Sequence, residues 1–196
     1  CERGGNKMCG RFMFQPETSP EIDRIYRLAQ KAGYSPKIGE IFPSDQTALI
    51  VAGQKQVQVV SMKWGFPGFD SKRLLINARA ETVQTKSMFA QHFTVNRCVY
   101  PTTGFFEWTK QKDKIWFNYQ EEPQPLYIAG FYGMYNGEKR SILLTTKPNE
   151  SMVEVHDRMP LILAKNQINR WIYQREFAQN FLTEKMPLLT AEKWAK

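Results

Sequence analysis

Cysteine and histidine are scarce in this chain, and their scarcity narrows the chemistry first. The 196 residues contain three cysteines, Cys1, Cys9 and Cys98, and two histidines, His92 and His156. Three thiols cannot all pair within one chain, and none stands in a CxxC-type spacing, so neither a disulfide framework nor a zinc site is indicated. Sparse cysteine points to a reducing, intracellular setting. Long apolar runs are missing too. None approaches the roughly 18 residues of a membrane span, and the first residues are too polar for a signal peptide. The expectation is a cytoplasmic monomer that needs no membrane, metal or cofactor. Glycine-rich phosphate loops of the Rossmann or P-loop kind are absent, as are repeats, low-complexity tracts and linkers.

What is present is basic and aromatic. The net charge is +8, and 13% of residues are Phe, Trp or Tyr, against an ordinary 42% apolar and 23% charged content. A positive excess of this size favours a polyanionic partner through phosphate neutralisation, and aromatics on a basic surface stack bases. The length suits one domain with a substantial core.

Local pattern supplies the elements. Gly10 to Phe14 reads as a short strand. Thr18 or Ser19 caps a helix with Pro20 in its first turn, an apolar stripe at Ile22, Ile25, Tyr26 and Ala29, and Gly33 as its end. Residues 35–44 read as a loop, and Thr47–Ala52 with Val57–Met62 as a hairpin. Lys86 to Phe93 reads as a short helix. Strands follow at 98–100, 105–108, 115–119, 126–131 and 140–146, and a packing helix carries Ile168, Trp171 and Ile172. Helices do not alternate with strands, which argues against a parallel sheet. The fold class expected is α+β, a single domain of antiparallel sheet with peripheral helices.

Four segments carry the chemistry: Met8-Cys9-Gly10-Arg11-Phe12, Asn77-Ala78-Arg79-Ala80-Glu81-Thr82, Gly104-Phe105-Phe106-Glu107-Trp108 and His156-Asp157-Arg158-Met159-Pro160. In that order, with Trp64-Gly65-Phe66 between the first and second, they resemble the SRAP family of abasic-site-processing proteins. The resemblance runs from Met8 to about Leu163. It implies a barrel-like core and a covalent cross-link between an N-terminal Cys9 and the ring-opened sugar aldehyde of an abasic site in single-stranded DNA. A terminal Cys offers a thiol and an α-amine together, and the pair closes a thiazolidine ring on an aldehyde. Both groups are partly in their nucleophilic forms near neutral pH.

Each remaining segment has a role in that chemistry. Asn77 and Arg79 point to one face if the run stays extended, with Asn77 holding the sugar or the amine and Arg79 a phosphate. Glu107 sits among aromatics, whose desolvation favours the protonated carboxyl that a general acid needs. His156 is the proton shuttle. Arg11 and Arg158 join Arg79 as phosphate contacts. Trp64 is the expected base-stacking residue by the resemblance, although an aromatic, Gly- and Pro-rich stretch also suits burial under a loop. Two other functions stay open: a cysteine peptidase built on Cys9 and His156, and a non-catalytic single-strand binder. Residues 1–7 are read as a leader, vector-derived or natural, ahead of a domain at 8–196. While they remain attached, Cys9 has no free amine.

Overall fold

The structure is a computed structural model that describes residues 10–68, 73–119 and 124–194. Cys9 therefore lies outside the described residues. In chain order the elements are β1 (Arg11–Phe14), α1 (Pro20–Lys31), β2 (Gly39–Ile41), β3 (Gln46–Val51), β4 (Gln58–Trp64), β5 (Phe66–Pro67), β6 (Leu74–Leu75) and β7 (Asn77–Arg79). There follow α2 (Ser87–Val95), β8 (Arg97–Thr102), β9 (Gly104–Trp108), β10 (Lys114–Tyr119), β11 (Leu126–Tyr135) and β12 (Glu138–Thr146). The last are β13 (Met159–Pro160), β14 (Ile162–Leu163), α3 (Ile168–Tyr173), α4 (Arg175–Phe181) and β15 (Leu189–Lys193).

Five strands close on themselves in the order β12-β4-β3-β8-β11 and back to β12. A ring with an odd number of strands cannot be antiparallel throughout, because the last strand would meet the first pointing the same way. The parallel pair is β4 with β12, in which Lys63 and Trp64 face Arg140 and Ser141. Further along the same edge of β12, β7 takes over as a second parallel partner. The antiparallel expectation therefore holds for the other barrel pairs and misses these two. Between β4 and β7 the chain makes an excursion through the small β5–β6 ladder. Where β11 and β12 splay apart, residues 159–163 fill the gap, with Leu161 N–H donating to Leu144 O at 2.9 Å and Ala129 N–H donating to Leu161 O at 2.8 Å.

β8 is buried at every position, with α2 and α3 packed against it, so its apolar run Cys98 to Pro101 shows no alternation and its end residues Arg97 and Thr102 are buried polar groups. Helix α1 also packs on the barrel, against β3, β4 and β8. Its start is capped by Ser19, whose Oγ accepts from Ile22 N–H at 3.4 Å. Its end is turned by Gly33 at φ +83°, a conformation that favours glycine. Burying Ile22 and Ile25 contributes about 1.5–3 kcal/mol apiece relative to leaving them in water.

The second sheet, β15-β10-β9-β1-β2, is antiparallel throughout. Its inner face lays Phe12, Phe105 and Phe117 against the barrel, with the latter two stacked at 5.2 Å. Thr102 Oγ1 ties the layers by donating to Met13 O at 2.6 Å. Cys98 is free and fully buried, and burial raises its thiol pKa well above the ordinary value, which makes it a structural thiol. Among the described residues no helix is long and apolar enough to cross a membrane.

Candidate functional site

The end of β12 gathers the second and fourth of the motif segments. β7 runs beside it in register, Asn77 facing Leu143 and Arg79 facing Thr145, and Ala80 N–H donates to Thr145 O at 2.8 Å. Ala78 is buried, Asn77 half-buried and Arg79 exposed. The strand alternates, so Asn77 and Arg79 do share one face. Arg79 forms no ion pair with a described residue, and its charge reaches Glu81 through space.

Arg158 is held differently from the phosphate contact expected of it. Its guanidinium grips Glu81 with both forks, at 2.6 and 2.8 Å, and also donates to Thr145 O at 2.8 Å. Thr145 Oγ1 in turn donates to Ala78 O at 3.4 Å. Arg158 thus braces the end of β7 to β12 from the side of β13. Its hydrogen bonds hold the Glu81 carboxyl below the ordinary value. The Arg158 side chain is 13% exposed, with the Glu81 carboxylate across its two forks.

His156 precedes that brace on a tight turn, its N–H donating to Met152 O at 3.0 Å. The imidazole is 8% exposed. Its Nδ1 lies 2.9 Å from Asp157 Oδ1 and 3.2 Å from the Arg158 N–H. One nitrogen cannot donate to the carboxylate and accept from the amide at once, so the two contacts belong to different tautomers of the ring. With Nδ1–H on Asp157, Nε2 is the basic nitrogen; with Nδ1 accepting from Arg158, Nε2 carries the proton.

The first and third segments meet in the second sheet. Arg11 of β1 pairs with Phe106 of β9, so the chain leading into β1 comes alongside Glu107. Glu107 points to the same side as Phe105, toward the barrel, and is 1% exposed. Arg11 points the other way. It lies 3.9 Å from the Phe42 ring centre and 5.4 Å from that of Trp108, and pairs with Glu40 at 3.1 Å. Glu40 also holds Lys114 at 2.7 Å. Trp108, Phe42, Glu40 and Lys114 received no role from the sequence. Only Trp108 had a signal there, its place beside Glu107.

Trp64 corrects the expectation of a stacking platform. It is fully buried, 5.1 Å from Phe12 ring to ring, and its indole N–H donates to Ile76 O at 2.8 Å. No base can reach either face. The indole instead joins β1 to the residue before Asn77, and so sets the spacing between two motif segments. Phe66 is buried as well, while Phe69 falls outside the described residues. Among the described residues no cluster of His, Cys, Asp and Glu side chains is arranged to hold a metal.

Fold and site together define an α+β barrel protein whose motif residues Asn77, Arg79 and Glu107 lie on its strands, with His156 on the turn before β13. The chain belongs to the SRAP family: the family model described as SOS response associated peptidase (SRAP) matches residues 8–193. It is 29% identical over 190 residues to the abasic site processing protein YoaM of Bacillus subtilis, covering 89% of this chain and 83% of that one. It is 30% identical over 181 residues to the abasic site processing protein YedK of Escherichia coli, covering 85% and 80%. Two solved structures share the fold. A protein from Bacteroides thetaiotaomicron superposes with a TM-score of 0.71 at 21% identity, covering 94% of this chain and 91% of that one. A phage-related protein from Bordetella bronchiseptica superposes with a TM-score of 0.74 at 18% identity, covering 96% and 95%.

Proposed function

We propose that this protein processes abasic sites in DNA, and that it does so by capturing the lesion covalently in single-stranded DNA through Cys9. The observation that carries the reading is the register of β1 on β9. The chain that follows Cys9 enters the sheet beside a buried carboxyl, and the Phe12–Trp64–Ile76 contacts tie that same strand to Asn77.

The chemistry needs Cys9 to be the first residue, with residues 1–8 removed. Its amine attacks C1′ of the abasic sugar while Glu107 gives a proton to the ring oxygen, which opens the ring. Loss of the C1′ hydroxyl as water leaves an imine. The Cys9 sulfur then adds to the imine carbon, the nitrogen takes up a proton, and a thiazolidine closes. His156 relays protons between its two states, and Asn77 positions the sugar or the amine. Arg11 and Arg79 take flanking phosphates, while Arg158 supports them by holding Glu81 and Thr145. A reading as a cysteine peptidase draws on the Asp157–His156 pair, which orients an imidazole as such an enzyme needs.

The test is protein beginning at Cys9 mixed with single-stranded DNA bearing one abasic site. A band that survives heat and denaturing electrophoresis without borohydride supports the reading, because an imine alone hydrolyses. Glu107→Gln should slow its formation by roughly a hundredfold or more, the usual scale of general acid catalysis. Cys9→Ala should leave at most a borohydride-trapped imine. If Cys9→Ala forms the stable band as well as the parent, the sulfur has no part in it.

A further inference from the structure

The outward face of the second sheet carries a feature that the reaction does not use. Strand alternation puts Arg11, Phe106, Trp108, Lys114, Trp116 and Asn118 on it, away from Glu107. The aromatic rings form a connected set: Phe106 to Trp116 at 4.9 Å, Phe106 to Trp194 at 5.1 Å and Trp116 to Trp194 at 5.4 Å. Lys114 lies 3.8 Å from the Phe106 ring centre. Beyond them is a pocket of about 190 Å³ lined by the two indoles together with Gln15, Thr103, Asn118 and Gln124. Trp194 is 37% exposed, unusual for an indole in a chain whose Trp64 and Trp171 are fully buried.

We propose that this pocket takes one unpaired nucleobase of the DNA strand flanking the reacting site. The inference rests on the reading of the protein as a single-stranded DNA binder. Three observations favour a base over another occupant. The volume admits one planar heterocycle. The lining combines indole faces, on which any base stacks, with carboxamides and a hydroxyl that match base edges. The pocket also lies on the same cross-strand row as Arg11, since Arg11 and Trp116 both pair with Phe106, two strand spacings or roughly 10 Å apart.

The charges divide the path. Arg11 and Lys114 share Glu40, leaving one net positive charge there, whereas Glu192 stands opposite Trp116. Phosphates are therefore drawn to the Arg11–Lys114 side, and a base rather than a phosphate faces the tryptophans. The pocket is built in, because a Cβ on Gly104 would overlap the Trp116 indole and lie 2.6 Å from Phe117 O. Only glycine leaves room for that ring beside β9. Asn118 is held in turn by the Thr190 hydroxyl, which donates to Oδ1 at 3.0 Å.

The test uses undamaged oligothymidylates of increasing length, with tryptophan fluorescence as the signal, on the parent chain, Trp194→Ala and Trp194→Phe. Quenching and a gain in affinity should set in at the length that spans from Arg11 to the pocket. Trp194→Ala should lose about tenfold of that gain, within the range of one stacked base, and Trp194→Phe should retain most of it. Cross-linking to a short strand with the abasic site near its end should be unchanged in Trp194→Ala. If Trp194→Ala shows the same length dependence as the parent, the pocket is not a base site. If the parent chain cut to begin at Cys9 never cross-links but still shows length-dependent quenching that Trp194→Ala loses, the reaction assigned above is wrong and the pocket stands.

Discussion

Trp64 and Arg158, both expected to touch DNA, make their contacts in this structure within the protein. A fully buried indole with its N–H on Ile76 O contributes through packing and one hydrogen bond. Trp64→Ala should cost about 3–5 kcal/mol of stability, and Trp64→Phe less because most of the volume remains. Urea unfolding measures both. An alanine variant of parent stability that has lost DNA affinity would restore the stacking role. For Arg158 the observable is pH. The Glu81 carboxyl ionises more readily in the folded chain than in the unfolded one, so its pairing stabilises the fold above about pH 4.5 and is lost as pH falls through the lowered folded value. Solvent reaches 37% of the Glu81 side chain, which limits the contribution to about 1 kcal/mol or less. Melting temperature followed from pH 6 down to about 3 should fall more steeply in the parent than in Glu81→Gln. Parallel curves would remove the ion pair from the account.

At the scale of elements, the end of β12 is where β7 and the segment leading to β13 are held together, and Thr145 is the point of attachment. Thr145→Val keeps the shape and deletes the hydroxyl. We expect about 1 kcal/mol of destabilisation and slower cross-linking as Arg158 and β7 loosen, with Thr145→Ser close to the parent. Equal cross-linking rates in all three chains would show that the brace does not position Asn77 or Arg79. The elements legible in the sequence were those with their own periodicity. These are α1, whose stripe, cap and final glycine all lie within sixteen residues, the β3–β4 hairpin, and the strands from β8 to β12. The short pairings β2, β13 and β14 had no such signature, because two or three residues become a strand only when a partner presents an edge. β15 was hidden for the same reason, its pairing being with β10 some seventy residues earlier. The parallel join of β4 to β12 is set by ring closure, which no local pattern encodes.

Across the whole molecule, the motif residues divide between two sheets, and the sequence could not say how those sheets approach. Aromatic, Gly and Pro content is alike in a buried loop and an exposed platform, so the resemblance alone puts Trp64 on the surface, whereas the structure has it fully buried. Asn77 and Arg79 needed only strand alternation, and they lie on one face as expected. The +8 charge belongs to this scale as well. Affinity for undamaged single strands should fall as salt rises, and Arg79→Ala should flatten the log–log slope by about 0.7, the loss of one phosphate contact. Arg158→Ala should change the slope little, since its guanidinium is already spent on Glu81 and Thr145. A salt-independent affinity would take phosphate recognition out of the account.

The central claim is that the amine and sulfur of Cys9 act together, and the state of the amine tests it most directly. Two chains are compared, one beginning at Cys9 and one with residues 1–8 still attached, each mixed with single-stranded DNA carrying one abasic site. Intact mass of the products gives both the yield of adduct and the first residue of the protein within it. The account predicts stable adduct from the chain that begins at Cys9, at the summed mass of protein and DNA less one water, and none from the extended chain. A stable adduct on the extended chain, formed at the same rate with Met8 retained in its mass, would contradict it.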